Sequence, residues 1–298
     1  LRCGLSIEKS DKTADVCPFS NNSKNETLLG NARFKGQVSN KRKFIGYYES
    51  LYAGANLNTE ERVKSSSGGL TTWIIEELIR RNIIDGAIVV TEGDKKPGQN
   101  NHPMFEYRVV DSIEDLRKSR KSKYYPVTLD NVYRQIKKSR NKRLAIVGIP
   151  CMIKSIQLIA QRDNGVSRSI IYYIGIVCGH MKTTYFSDYI STSLGVKPKN
   201  LKSIDFREKD IGSMASNYNV KLYHRDEAGV ELKTKEAKNY SIKNMDWGLG
   251  LFKNPACEFC DDVLAECADI TLGDAWIPKY ENDGRGTNIV ICRSKAIE

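Results

Sequence analysis

The sequence predicts an α/β protein: a mixed sheet core with helices on its faces, plus a smaller β-rich C-terminal region. Three observations predict it. Helix-patterned stretches alternate with strand-length apolar runs through the middle of the chain. The runs RLAIVG (143–148) and IIYYIGIV (170–177) lack polar alternation, as strands buried on both faces do. Beyond Gly195, short β-patterned segments separated by turn residues take over.

The first forty or so residues are polar and irregular, with Ser20–Glu26 (SNNSKNE) reading as a loop. Phe44–Ala53 (FIGYYESLYA) is rich in aromatic residues and strand-like in its first half. Ser65–Gly69 precedes LTTWIIEELIRR, where Leu70, Trp73, Ile74 and Leu78 fall near one face of a helix. A strand at Asp85–Val90 follows, then a helix at Asn131–Ser139 and a strand at Arg143–Gly148. That strand ends at Ile149-Pro150-Cys151, and the next helix carries Ile153, Ile156, Leu158 and Ile159. The strand Ile170–Val177 ends at Cys178-Gly179-His180, again before a helical pattern (TTYFSDYISTSLG). Leu201–Phe206, Tyr218–His224 and Val230–Lys235 read as short strands, with a turn at Asp226–Gly229. Ile270–Trp276 and Thr287–Arg293 complete the set. The nearest thing to a linker is VKPKN (196–200), so the chain divides into an N-terminal segment (1–42), an α/β part (43–195) and a β-rich part (196–298).

The 298 residues, 40% hydrophobic, suffice for a sizeable core. No apolar run is long enough to span a bilayer, and the start lacks the charged-then-apolar pattern of a signal peptide, so a soluble cytoplasmic protein is expected. The chain begins at Leu1, not Met, which leaves room for upstream residues. The net charge of +11 is concentrated in residues 117–143, where eleven Lys/Arg face one acid, Asp130. Such a stripe suits either nucleic-acid phosphates or a solvated face that attracts an anionic cofactor or acidic partner. The second reading is preferred, with no nucleic acid expected, because no DNA- or RNA-binding signature accompanies the stripe.

Eight cysteines without a secretion signal point to metal binding or redox chemistry rather than disulfides. Cys257-Glu-Phe-Cys260 could be half a zinc site, a dithiol pair or half a cluster site; it does not open a helix after a strand, which sets the dithiol aside. Two buried strands end in Cys151 and Cys178, at the edge where open α/β sheets bind ligands. Together the four thiolates suit zinc or a 4Fe–4S cluster, while Cys151 and Cys178 could instead be small buried apolar residues. Spacing alone leaves these readings level.

Ser65–Gly69 offers backbone N–H groups to a phosphate, but it is neither a P-loop nor a G-x-G-x-x-G fingerprint, and an ordinary serine N-cap is the simpler reading. Cys178 and His180, two residues apart, make a poor nucleophile–base pair. His102 and His224 read as surface or packing residues. Asp261, Asp262, Asp269 and Asp274 could form a Mg²⁺ or glycosidase pair, but Asp269 and Asp274 are expected to cap turns around Ile270–Gly273. Trp73, Trp247 and Trp276 are expected in the core.

Eight blocks carry a resemblance: RVKSSSGGLTTWIIEELI (62–79), NIIDGAIVV (82–90), KSKYYPV (121–127), LAIVGIPCMIKSI (144–156), GIVCGHMK (175–182), DFREK (205–209), CEFCDDVLAECADITLGDAW (257–276) and GTNIVICRS (286–294). From about Lys43 to Arg293 the chain resembles the family of coenzyme F420 hydrogenase/dehydrogenase beta subunits. It looks most like the bacterial and archaeal branch found with polysaccharide-biosynthesis genes, and Cys17-Pro18-Phe19 with Asn25-Glu26 points the same way. The resemblance implies an iron–sulfur flavoprotein with FAD and a 4Fe–4S cluster. It implies cluster ligands at Cys151, Cys178, Cys257 and Cys260. It implies a flavin loop at Ser66, Ser67, Gly68 and Gly69, with Ser122, Lys123, Tyr124 and Tyr125 as a further flavin-site segment. The expected activity is electron transfer between cluster, FAD and an unidentified substrate or coenzyme, F420 among the candidates. The expected partner is a redox protein or a reduced coenzyme, with a homo-oligomer left open. Two alternatives stand beside it: a non-catalytic electron-transfer or scaffold subunit with a structural metal site, and a glycan-pathway protein of the same fold without flavin. Many relatives carry an N-terminal ferredoxin-like segment; here only Cys3-Gly4 and Cys17-Pro18 match it, and Ser6 replaces an expected cysteine. Cys267 stands where relatives have an apolar residue and is read as a non-ligand, and Cys292 as a packing residue.

Overall fold

The structure is a computed structural model that describes residues 14–93, 103–139 and 141–298. Cys3, Ser6 and His102 lie outside the described residues. In chain order the elements that frame the site are α1 (Glu26–Phe34), β1 (Asn40–Arg42), β2 (Gly46–Tyr48), β3 (Ser50–Gly54), α2 (Thr59–Val63), α3 (Leu70–Arg80), β4 (Gly86–Glu92), β5 (Phe105–Val110), α4 (Ile113–Lys118) and α5 (Asp130–Lys138). They continue as β6 (Leu144–Gly148), α6 (Pro150–Ala160), α7 (Asn164–Ser169), β7 (Ile170–Ile176), α8 (Thr184–Ser193), β8 (Leu201–Glu208), β9 (Asn219–Arg225), β10 (Leu232–Lys238), β11 (Ile270–Asp274), α9 (Pro278–Glu281) and β12 (Asn288–Cys292).

The main sheet has the strand order β3-β12-β11-β7-β6-β4-β5. Its inner strands β11, β7, β6 and β4 pair in parallel, while β5, β12 and β3 pair antiparallel at the margins. Successive residues of a strand point to opposite faces. In β6, Leu144 and Ile146 enter one apolar cluster, while Ala145 and Val147 enter the other. The first cluster is completed by Met152, Ile153 and Ile156 of α6, Val132 and Ile136 of α5, and Phe186 and Ile190 of α8. The second is completed by Ile75 and Leu78 of α3 and Leu116 of α4. Helices therefore cover both faces, which is why the inner strands need no polar alternation. A fully buried side chain such as Ile146, 0% exposed, contributes on the order of 1.5–3 kcal/mol through lost apolar surface.

The strands after residue 196 divide between two sheets. β8, β9 and β10 form a separate antiparallel sheet, closed at the predicted turn by the Gly229 N–H donating to Asp226 O, with Gly229 at φ +77. β11 and β12 instead return to the main sheet beside β7 and β3.

The structure corrects the expectation of an irregular N-terminal stretch. α1 spans Glu26–Phe34 and is capped by Asn25, whose side chain accepts from Leu28 N. Leu29 and Phe34 are buried, so tertiary packing holds a helix that polar composition obscured. The antiparallel edge strand β5 is an addition to the predicted set; Phe105 and Tyr107 are buried in the first apolar cluster, while Glu106 between them is only half-buried.

Candidate functional site

Cys151 sits in the first turn of α6, immediately after β6, and Cys178 follows β7. Pro150 at the start of α6 suits a position whose N–H needs no helical partner. Cys257 lies in a 3-10 turn, Pro255–Phe259, and Cys260 ends it. The fold brings these four side chains to one end of the parallel strands. Burial pushes the Cys151 thiol up, and its neighbours Cys178, Cys260 and Cys257 add to the effect. Burial pushes Cys178 up to about 12, with Cys257 and Cys260 contributing. All four are free thiols, and the Met181 N–H donates to Cys257 Sγ at 3.3 Å.

These four cysteines, from three places in the chain, are soft donors of the kind a thiophilic centre takes. Among the described residues no group of three His, Cys, Asp or Glu side chains is drawn together tightly enough to hold a metal ion. Burial, with the neighbouring cysteines, favours the neutral thiols of Cys151 and Cys178, and burial likewise raises Cys260.

The N-terminal segment reaches this end of the molecule. Pro18, Phe19 and Glu26 line a pocket with Cys151, Cys260 and Lys154. Glu26 and Lys154 form an ion pair at 3.0 Å, each side chain only 12% exposed. Cys267 and Cys292 are both buried; Cys267 packs in the first apolar cluster, where its carbonyl accepts from Gln157, and Cys292 lies on β12.

The two predicted flavin-site segments meet. The Ser122 N–H donates to Ser66 Oγ at 2.7 Å. The expectation of a serine N-cap is corrected: Gly69, at φ +82, occupies the cap position of α3, and Asn288 Oδ1 accepts from Leu70 N at 3.1 Å. Ser65 and Ser67 instead donate to the carbonyls of Glu61 and Thr287. Gly68 is packed by the chain itself. A Cβ there would stand 2.7 Å from Gly54 O and 2.8 Å from Asn288 N.

In the second segment, Lys121 adopts a left-handed backbone (φ 81) and pairs with Asp205 at 3.0 Å. Lys123 donates to the carbonyls of Ser119, Arg120 and Lys121. Burial pushes Lys123 down to about 7. Tyr124 packs on Phe206 at 5.4 Å and on Trp247 at 4.7 Å, while Tyr125 meets Phe105 edge-on at 5.6 Å.

Several residues at this junction were not singled out as site residues by the sequence. Arg207 makes a bidentate pair with Asp274 at 2.7 and 3.0 Å. Its guanidinium lies 5.0 Å from the Tyr218 ring and 5.3 Å from the Trp276 ring, and its Nε has no hydrogen-bond partner. Lys209 Nζ donates to Arg62 O at 2.6 Å, to Ser67 O at 2.5 Å and to Arg285 O. Burial, then Lys121, Arg207 and Arg62, push Lys209 down to about 7. The legible signal was only that DFREK is one of the blocks that carry the resemblance.

The remaining sequence expectations fall out differently. His180 stacks on Trp247 at 4.4 Å, and among the described residues its buried Nε2 has no hydrogen-bond partner. His224 Nδ1 lies 2.9 Å from Arg225 O. Asp269 and Asp274 are not turn caps: Asp269 accepts from Tyr173 N at 2.8 Å and pairs with Arg33, and Asp274 holds Arg207. The tryptophans are not core residues, since Trp73 and Trp276 are 42% and 46% exposed and Trp247 bridges Tyr124 and His180. Among the described residues most cations of the basic stripe pair with acids, while Arg140 lies outside them. Arg117 pairs with Glu76 at 2.7 Å, Arg120 with Glu61 at 2.6 Å, Lys142 with Asp111 at 2.8 Å and Arg143 with Asp85 at 2.7 Å. Among the described residues no helix is long and apolar enough to cross a membrane.

Known proteins resemble the chain over most of its length. Residues 141–298 match the family model for the C terminus of the coenzyme F420 hydrogenase/dehydrogenase beta subunit, and residues 51–134 match the corresponding N-terminal model. The coenzyme F420-dependent sulfite reductase of Methanocaldococcus jannaschii is 26% identical over 270 residues, covering 86% of this chain and 36% of that protein. One of the subunits of the F(420)H(2) dehydrogenase of Methanosarcina mazei is 25% identical over 248 residues, covering 82% of this chain and 59% of that protein. The chain thus spans about a third of the first relative and three-fifths of the second. A chain in a structure of the F420-reducing NiFe hydrogenase complex from Methanosarcina barkeri shares the fold, with a TM-score of 0.59 at 19% identity over 87% of this chain and 79% of that one.

Proposed function

The chain belongs to the family of coenzyme F420 hydrogenase/dehydrogenase beta subunits, which are parts of redox enzymes, and on that premise we propose that it is an iron–sulfur flavoprotein oxidoreductase. In this reading Cys151, Cys178, Cys257 and Cys260 hold a 4Fe–4S cluster. Ser66–Gly69 and Ser122–Tyr125 hold FAD. When bound, FAD accepts electrons in pairs and passes them singly to an iron–sulfur cluster. The observation that supports the reading is that four free cysteines from three places in the chain are neighbours, Cys151 feeling the other three. A four-sulfur donor set suits a cluster or zinc equally in chemistry, and the family membership favours the cluster.

The protein's own residues have definite tasks. The Met181 N–H steadies one sulfur. Pro18, Phe19 and the Glu26–Lys154 pair shield the thiols from water on one side. The Ser66–Ser122 bond joins the two cofactor segments, and Tyr124, against Trp247 and thence His180, links them through packed rings to the Cys178 loop. The substrate is a hydride-carrying coenzyme or a redox protein; the names of the relatives make deazaflavin F420 the first compound to test.

The test is anaerobic purification with iron, sulfide, zinc and flavin quantified, followed by an EPR spectrum after reduction. Iron and sulfide near four per chain, with flavin, are expected for the proposed 4Fe–4S centre, roughly one cluster's complement. Stoichiometric zinc without iron would sink the reading. Steady-state reduction of an added acceptor separates an oxidoreductase from a scaffold protein.

A further inference from the structure

The block Asp205–Lys209 is absorbed by neither the cysteine site nor the two cofactor segments, yet it touches both segments. Asp205 holds Lys121 at 3.0 Å. The Arg207 carbonyl accepts from Lys121 Nζ at 3.2 Å, while its side chain is fixed on Asp274 at the end of β11. Phe206 packs on Tyr124. Lys209 ends the block on the other segment. Its three N–H donors go to three main-chain carbonyls: Arg62 in α2, Ser67 at the end of the serine run, and Arg285 in the turn before β12.

Two features of that arrangement matter. An ammonium has three donors, and here all three are spent on backbone oxygens, which saturates the group without a carboxylate. The bonds tie the C-terminal end of α2, the serine turn and the turn before β12 to the residue that follows β8. They fix where the Ser66–Gly69 turn stands relative to β8. The Gly286 backbone supports the same turn, since a Cβ on Gly286 would stand 3.1 Å from Ser67 C. The charge matters as well. Arg62, Lys121 and Arg207 each pair with a carboxylate, whereas the Lys209 ammonium bonds main-chain carbonyls and feels the Asp274 carboxylate only through the field.

We infer that Lys209 is a positioning residue for the cofactor loop, clasping Ser66–Gly69 in the shape that receives a phosphate-bearing ligand and supplying positive charge beside it. The inference rests on the flavin reading for the identity of the ligand but not for the clasp. Lys209 makes no claim on the reacting atoms, because its donors are already used. A charge held in this way acts on an anion through the field and through the loop it orders.

The experiment uses the full chain with Lys209→Met and Lys209→Arg. Two quantities are read: hydrogen exchange of the amides in residues 65–69 without added ligand, and FAD affinity by fluorescence titration. For Lys209→Met, amide exchange in 65–69 should rise at least tenfold and FAD affinity should fall at least tenfold, with bound iron unchanged. Lys209→Arg keeps the charge but its planar fork cannot reach three separate carbonyls. It should recover part of the affinity while the loop stays loosened, a partial rescue that a purely structural role would not give. Unchanged exchange in the Met variant overturns the clasp. Loosened exchange with unchanged FAD affinity overturns the positioning role. Failure of the unsubstituted protein to take up FAD overturns the flavin reading, while the exchange measurement still decides the clasp. If the Met variant does not fold, the Arg variant is measured by the same two readouts, and wild-type values in both overturn the inference.

Discussion

Separating Arg207 from Asp274 should be far more damaging than removing both. The Arg207 side chain is 5% exposed and Asp274 22%, and the two N–O distances of 2.7 and 3.0 Å make a bidentate pair. Deleting the carboxylate with Asp274→Leu strands a guanidinium among Tyr218, Trp276 and Tyr124. Breaking a buried pair in this way costs about 3–5 kcal/mol, and the deep burial of the survivor puts this variant near 4. Arg207→Met strands the more exposed partner, which water can reach, so about 2 kcal/mol is expected. The double variant leaves no orphaned charge and should lie within about 1 kcal/mol of wild type. The coupling energy across the cycle is then about 5 kcal/mol, the amount by which the two single losses exceed the loss in the double. At about 2–4 °C per kcal/mol for a large domain, Asp274→Leu should melt about 8–16 °C lower while the double variant recovers most of that. Guanidinium and thermal unfolding of the four proteins measure it. Additive single losses, with coupling below about 0.5 kcal/mol, would refute the reasoning, because they would mean the pair is solvated and carries ordinary surface energetics.

Four more outcomes follow from the same geometry. Cys151→Ser and Cys257→Ser should each lose bound iron, whereas Cys267→Ser and Cys292→Ser should retain it; iron retained in the first pair would reverse the ligand assignment. Gly68→Ala should destabilise by about 1–3 kcal/mol, because the Cβ meets the backbone atoms Gly54 O and Asn288 N, and denaturant titration reads the loss. Asp283 is held down at about 2 by Arg285 and Arg62, so its contribution to stability is present above about pH 4 and fades as the pH falls toward 2; Asp283→Asn should flatten that acid limb in pH-dependent melts. Lys209 needs its proton to fill three carbonyls, and burial together with Lys121, Arg207 and Arg62 holds it down at about 7, with Asp274 acting the other way. FAD affinity should therefore fall as the pH rises from 6 to 9, and a titration series in which Lys209→Met shows the same slope would count against this account.

The layered architecture was legible because burial on both faces leaves a plain mark. Uninterrupted apolar runs at 143–148 and 170–177 allow no solvent-facing side, so a sheet covered by helices follows from them. Cys151 and Cys178 were legible as strand-end residues for the same reason. α1 was not, because its buried apolar residues Leu29 and Phe34 are few and the helix is held by packing rather than by its own pattern. The tryptophans were misread because composition records that a ring is large and apolar, not whether neighbours enclose it.

Residue type and spacing marked out candidate donors without choosing among their uses: a C-x-x-C, two cysteines at strand ends, and a serine–glycine turn ahead of a helix. Both follow from local rules, since they fix what a turn or strand terminus can offer. Which loops share a site had to come from the packed chain. The Ser66–Ser122 bond, the Arg207–Asp274 pair and the three carbonyls on Lys209 join residues whose separation in the chain carries no periodic signal. Their meeting is set by the order of strands in the main sheet and by the placing of the second sheet against it. That order follows from packing the whole chain at once, which no local pattern encodes.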